Sequence, residues 1–129
     1  MIHVIATIQL QPGARDEFLG HFREVVPLVH QEEGCLEYGP AVDFATNIPV
    51  QVGPRPDVVT VVEKWESIEA LEAHLIAPHM LAYREQVKPL VVGTTVDMNV
   101  SSVPPGSLVI YFIDNAGRIR WRTVAFRSR

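Results

Sequence analysis

The chain predicts an α+β fold in which helices cover one face of a four-stranded antiparallel sheet. Three observations carry this expectation. β-Branched runs open and close the first hundred residues, apolar positions at helical spacing lie between them, and Val58–Val62 forms an almost unbroken apolar centre.

Ile2–Leu10 alternates in part and stops at Pro12-Gly13, as a first strand would. From Ala14 to Glu33, the residues Phe18, Leu19, Phe22, Val25, Val26 and Val29 recur on one helical face, with Arg15, Asp16, Glu17, Arg23 and Glu24 on the rest. Pro27 should kink or interrupt that helix because it removes a backbone donor, and Gly34 is placed to end it. A second strand, Cys35–Phe44, precedes a loop carrying Asn47, Pro49, Gly53, Pro54 and Pro56. Val58–Trp65 reads as a strand buried on both faces, hence a central one. Ser67 is the expected N-cap of a short helix presenting Leu71, Leu75 and Ile76. Pro78 ends it and opens another through Met80, Leu81, Tyr83, Arg84 and Val87. Val91–Val100 returns to strand character. The order β-α-β-β-α-β, with its last helix broken, is that of a ferredoxin-like unit. Such a unit leaves one sheet face bare, which predicts a homodimer joined through the sheets.

Charge divides the chain. Residues 1–100 hold six Lys or Arg against fourteen Asp or Glu, a sum of −8. Residues 101–129 hold five Arg and one Asp, a sum of +4. The stretch Ser101-Ser102-Val103-Pro104-Pro105-Gly106-Ser107 between them reads as a linker. Beyond it, Leu108–Ile113 and Arg118–Thr123 flank Asp114-Asn115-Ala116-Gly117, predicting a β-hairpin with Ile119, Trp121 and Thr123 on one face and arginines on the other. Residues 1–100 are therefore expected to form the domain and 101–129 an extension that serves as a dimer arm.

With a formal charge of −4 and a pI near 5.7, no overall basic field recruits nucleic acid. No apolar run approaches the roughly 20 residues of a membrane span, and the N-terminus lacks a signal-peptide pattern, so a cytoplasmic location is expected. The lone Cys35 can form neither an internal disulfide nor a cysteine-rich zinc site.

Glu33-Gly34-Cys35-Leu36-Glu37-Tyr38, Glu63–Leu71 and His74-Leu75-Ile76-Ala77-Pro78-His79-Met80 together resemble the antibiotic biosynthesis monooxygenase family, which includes quinol monooxygenases. The likeness covers residues 1 to about 98 and implies a dimeric α/β barrel. Haem-degrading members carry an asparagine, a tryptophan and an axial histidine where this chain has Ala6, His74 and about Arg84, so the resemblance does not extend to haem. It implies a cofactor-independent monooxygenase acting with dioxygen on a small aromatic, quinone-like or polyketide-like molecule. A non-oxygenase isomerase, a ligand-binding module, or an interaction module docking through its arginine hairpin are the alternatives on the same fold.

Cofactor-free oxygenation needs a base to make an electron-rich anion, donors to hold it, and an apolar pocket. His74 is the preferred base and His79 its companion, brought together only if the break at Pro78 turns them to one cavity; otherwise each caps a helix or packs in the core. A metal site from this pair with Glu63 is a further option without a dense ligand motif behind it. Glu63 and Trp65, two apart on a strand, share one face. There the carboxylate could orient a histidine or bind a substrate hydroxyl while the indole stacks on a planar ring; alternatively Glu63 pairs with an arginine across a dimer and Trp65 closes the core. Tyr38 and Tyr83 are candidate donors or core rings, and Phe18, Phe22, Leu71 and Met80 line a cavity or simply pack.

Overall fold

The computed structural model describes residues 1–101, 107–113, 116 and 118–125, with 107–113 and 119–125 described as backbone. Nine residues of the opening segment form β1 (Ile2–Leu10), followed by α1 (Arg15–His30), β2 (Cys35–Ala41) and β3 (Val58–Trp65). Then come α2 (Ile68–Leu75), α3 (Pro78–Val87), a 3-10 turn (Lys88–Leu90) and β4 (Val91–Val100). The four strands form one antiparallel sheet in the order β2-β3-β1-β4. This is the ferredoxin-like arrangement.

Register decides which side chains meet the helices. Ala6 stands opposite Val61 on β3 and Val96 on β4, while Val4 and Tyr38 both stand opposite Glu63. Because alternate residues share a face, Val4, Ala6, Ile8, Val59, Val61, Glu63, Trp65 and Tyr38 all point the same way, and all are buried. Phe18, Phe22, Val25 and Val29 of α1, Leu71 of α2, and Met80, Tyr83 and Val87 of α3 complete that core. The helices are placed by local chemistry. The Ser67 side chain accepts from the Ala70 N–H at 3.2 Å and caps α2, and Pro78 sits in the first turn of α3, where its missing donor costs nothing. The opposite sheet face, with Ile5, Thr7, Thr60 and Val62, is half-buried.

Three boundaries differ from expectation. Pro27 lies inside α1, which runs through it unbroken to His30. Gly34 does not cap the helix; it closes the following turn at φ +80°. β2 ends at Ala41 and not Phe44, because Asp43 turns away to form a two-pronged pair with Arg55 (2.8 and 3.0 Å) and Phe44 is left exposed. Past Val100, β5 (Ser107–Ile113) and β6 (Ile119–Ala125) pair antiparallel as a separate two-stranded sheet. The linker residues 102–106 and Gly117 lie outside the described residues. So do the side chains behind the expected two faces of the hairpin.

Candidate active site

Between the helices and the sheet lies a cavity of about 540 Å³. Ala6, Ile8 and Val61 form its floor, Phe18 and Phe22 come from α1, Met80, Tyr83 and Val87 from α3, and Tyr38, Glu63 and His74 close one end. At the other, Arg84, Glu85 and Lys88 face Thr94 and Val96 of the edge strand β4, all but Arg84 exposed, so the cavity opens there. This mixture of a large apolar wall with a few convergent polar groups suits a small organic molecule.

The rings form a continuous chain. Tyr83 meets Phe22 edge-on at 5.8 Å, Phe22 stacks on Tyr38 at 5.3 Å, Tyr38 meets His74 at 5.2 Å, and His74 lies 4.7 Å from Trp65. His74 is 2% exposed. Its Nδ1 lies 2.8 Å from Oε2 of Glu32, and because an ionised carboxylate only accepts, that nitrogen carries the proton. Nε2 is then the basic nitrogen, and it has no hydrogen-bond partner among the described residues. A carboxylate behind one imidazole nitrogen fixes the tautomer and orientation of the other.

Next to it, the Trp65 indole N–H donates to Oε2 of Glu63 at 2.9 Å. Burial raises the Glu63 pKa above the ordinary carboxyl value of 4.5, against the opposing pull of the Trp65 N–H and His74. Burial likewise raises the pKa values of the Tyr38 and Tyr83 phenols well above their usual 10, with Glu63 adding to the effect at Tyr38. Both tyrosines are therefore neutral hydroxyls, able to donate.

Of the residues singled out from sequence, His74, Glu63, Tyr38, Tyr83, Phe18, Phe22 and Met80 line this one cavity. Trp65 does not: it is wholly buried behind His74 and acts on the cavity through Glu63. Leu71 is core. His79 faces away from the cavity into an outer groove between α1 and α3, yet its Nε2 lies 3.1 Å from the same Glu32 oxygen. Among the described residues no group of three His, Cys, Asp or Glu side chains is set to hold a metal ion. Glu32 is the residue that sequence reading missed. It lies 42 residues from His74 and 47 from His79 in the chain, so no local spacing announces it. The turn at Gly34 delivers it, since the Gly34 carbonyl accepts from the Glu66 N–H at 2.9 Å and ties the end of α1 to the start of α2.

The model of the antibiotic biosynthesis monooxygenase family matches residues 1–86. The "Probable quinol monooxygenase YgiN" of Escherichia coli K12 is 44% identical over 108 residues, covering 82% of this chain and 99% of that protein. A solved antibiotic biosynthesis monooxygenase superposes with a TM-score of 0.66 at 28% identity, over 81% of this chain and all of the other. A Pseudomonas aeruginosa protein shares the fold with a TM-score of 0.67 at 24% identity, over 79% of this chain and 94% of its own. By a family match over residues 1–86 and by relatedness over 82% of its length, the chain belongs to the antibiotic biosynthesis monooxygenase family.

Proposed function

We propose that the protein is a monooxygenase that oxidises a small quinol, or a related electron-rich aromatic, with dioxygen and without a resident cofactor. The observation that carries this reading is His74, buried in the cavity wall with Nδ1 held by Glu32 and Nε2 without a hydrogen-bond partner among the described residues. The naming of the Escherichia coli relative as a quinol monooxygenase supports the choice of substrate class.

His74 Nε2 takes a phenolic proton, and the quinolate anion is electron-rich enough to reduce dioxygen. Addition of oxygen at a ring C–H carbon gives a peroxide anion, to which His74 returns the proton. Loss of water from the hydroperoxide leaves a new carbonyl, which enolises to a hydroxyquinone. One oxygen atom stays in the product, the other leaves as water, and the quinol supplies all four electrons. Tyr38 and Tyr83, which line the cavity, donate to the developing oxyanion in this reading, while Phe22 and Met80 hold the ring and exclude water. Glu63, held by Trp65, hydrogen-bonds a substrate hydroxyl at the closed end. The working unit in this reading is a cytoplasmic homodimer joined through the bare sheet face, with residues 101–129 as its arm.

Oxygen uptake with a panel of hydroquinones, anthrones and catechols in the presence of a chelator tests the reading. The expected result is enzyme-dependent uptake with one ¹⁸O atom from ¹⁸O₂ in the product. His74→Gln is expected to lower kcat/KM on the order of 10²- to 10⁴-fold. Uptake without incorporation, or none across the panel, shifts the assignment to an oxidase, an isomerase or a binding protein on the same fold.

A further inference from the structure

The two ends of the cavity differ in charge. Its closed end carries the hydroxyl, carboxyl and imidazole of Tyr38, Glu63 and His74, and its open end carries two cations, Arg84 and Lys88. Cations are scarce in this part of the chain: residues 1–100 hold six Lys or Arg against fourteen Asp or Glu. Of the six, Arg55 and Lys64 are paired with Asp43 and Glu37. Arg84 and Lys88 form no ion pair among the described residues. They lie four residues apart, and Lys88 keeps helical backbone angles (φ −47°, ψ −43°), so both side chains leave from one side of the helix. Glu85 also lines the mouth, where the two cations outnumber it.

The Arg84 guanidinium is half-buried and held at one corner, with Nη1 donating to the Leu75 carbonyl at the end of α2 at 2.6 Å. Its other N–H groups have no acceptor among the described residues. Burial raises the Tyr38 and Tyr83 phenol pKa values and Arg84 opposes that rise at both, so its positive field reaches into the cavity. The sheet sets the length of the space. From Glu63 through Val4 and Ile8 to Thr94, the floor runs four residues along the strands and two strands across, roughly 16 Å between backbone positions. Allowing for side chains reaching in from each end, that span suits two fused rings, or one ring with an arm, better than a single benzoate.

We infer that Arg84 and Lys88 form a carboxylate subsite at the cavity mouth, and that the substrate is an aromatic acid whose carboxylate lies at the far end of the molecule from its reacting hydroxyl. The inference rests on the oxygenase reading for the identity of the reacting ring and supplies the other end of the substrate. The pinned guanidinium offers a planar fork to the carboxylate, and the lysine adds a flexible point charge. Held there, the acid has one productive orientation, with its hydroxyl towards Nε2 of His74. Entry carboxylate first would strip water from the charge and leave it beside the buried Glu63 carboxyl.

6-Hydroxy-2-naphthoate and the isosteric 6-hydroxy-2-naphthamide differ by one charge and carry hydroxyl and acyl groups at opposite ends. Both are single phenols and not quinols, so their binding is read without turnover. In calorimetric titration of the full chain at low ionic strength, the naphthoate is expected to bind at least about 10-fold more tightly than the naphthamide. Added salt should shrink the difference. Arg84→Gln and Lys88→Gln each retain a donor and remove a charge. Each is expected to weaken the naphthoate several-fold and leave the naphthamide Kd unchanged, a split that a merely structural role would not produce. The subsite is overturned if the acid binds no more tightly than the amide, if neither binds, or if the preference survives the double variant. A protein that incorporates oxygen into quinols but lacks the preference loses the subsite alone. One that has the preference yet incorporates oxygen into no quinol, with or without a distal carboxylate, loses the oxygenase reading and keeps the subsite.

Discussion

Glu63 is an acid placed where the fold would rather have a neutral group. The residue is 8% exposed, and burial raises its pKa above 4.5. The folded state therefore binds the proton more tightly than the unfolded chain. The associated stability is fully present below the unfolded value and is lost as pH rises through the folded one. Glu63→Gln keeps an oxygen for the Trp65 N–H and removes the titration. The variant is expected to melt close to wild type at pH 4 and above it at pH 7, and thermal melts across that range check the divergence. The Glu63 and Trp65 contact was legible in the sequence because residues two apart on a strand must share a face. Glu32 was not, because its partners are set by the way α1, α2 and α3 pack. The same packing explains His79: the break at Pro78 keeps both histidines on Glu32, but turns only His74 to the cavity.

At the level of elements, strand and helix identities followed from periodicity, and β3 and β4 match their expected ranges residue for residue. Ends were harder to read where tertiary contacts fix them. α1 stops at His30, and the four residues after it form a turn whose geometry serves α2 as much as α1. Gly34 shows why. Its φ of +80° disfavours any side chain, and a Cβ there would lie 2.5 Å from Cβ of Ala70 on α2. Gly34→Ala is expected to destabilise by about 1–3 kcal/mol in urea unfolding, combining a backbone cost with overpacking. Adding Ala70→Gly should recover the overpacking share and leave the backbone share, which separates the two causes. Because this turn delivers Glu32, the single variant should also lower turnover more than the double.

Across the whole molecule, the surface is uneven in a way that suits assembly. Phe44, Val50 and Val52 stand 80%, 91% and 65% exposed on the loop after β2, and the free edge of β4 exposes Val92, Val96, Met98 and Val100. The loop is nonetheless anchored. Arg55 holds Asp43, whose pKa it lowers to about 2, and Asp57 accepts from the Gly13 N–H at 2.9 Å. That carboxylate's contribution is present above its unfolded value of 3.8 and is lost as pH falls through about 2, so the loop's anchorage is expected to be constant from pH 5 to 8. Hydrogen exchange at Arg55 N–H, which donates to Asp43 at 2.9 Å, checks it by showing a pH-independent protection factor over that range. The charge break at residue 101 was readable from composition alone, and the pairing of β5 with β6 from the turn between them. Where residues 101–129 pack was not, since that depends on a surface outside their own sequence. If the proposed homodimer is joined by its arm, removing residues 101–129 is expected to convert it to monomer, or to weaken it measurably, in light-scattering at matched concentrations. An unchanged dimer would leave the sheets as its sole support.

The chain's two tryptophans, Trp65 and Trp121, fall one on each side of that break. Trp65 touches the imidazole that the proposed reaction would charge, and an imidazolium quenches indole emission. With Trp121→Phe, the intrinsic fluorescence of the protein becomes an unlabelled meter of the charge on His74; with Trp65→Phe, the same light follows residues 101–129 alone.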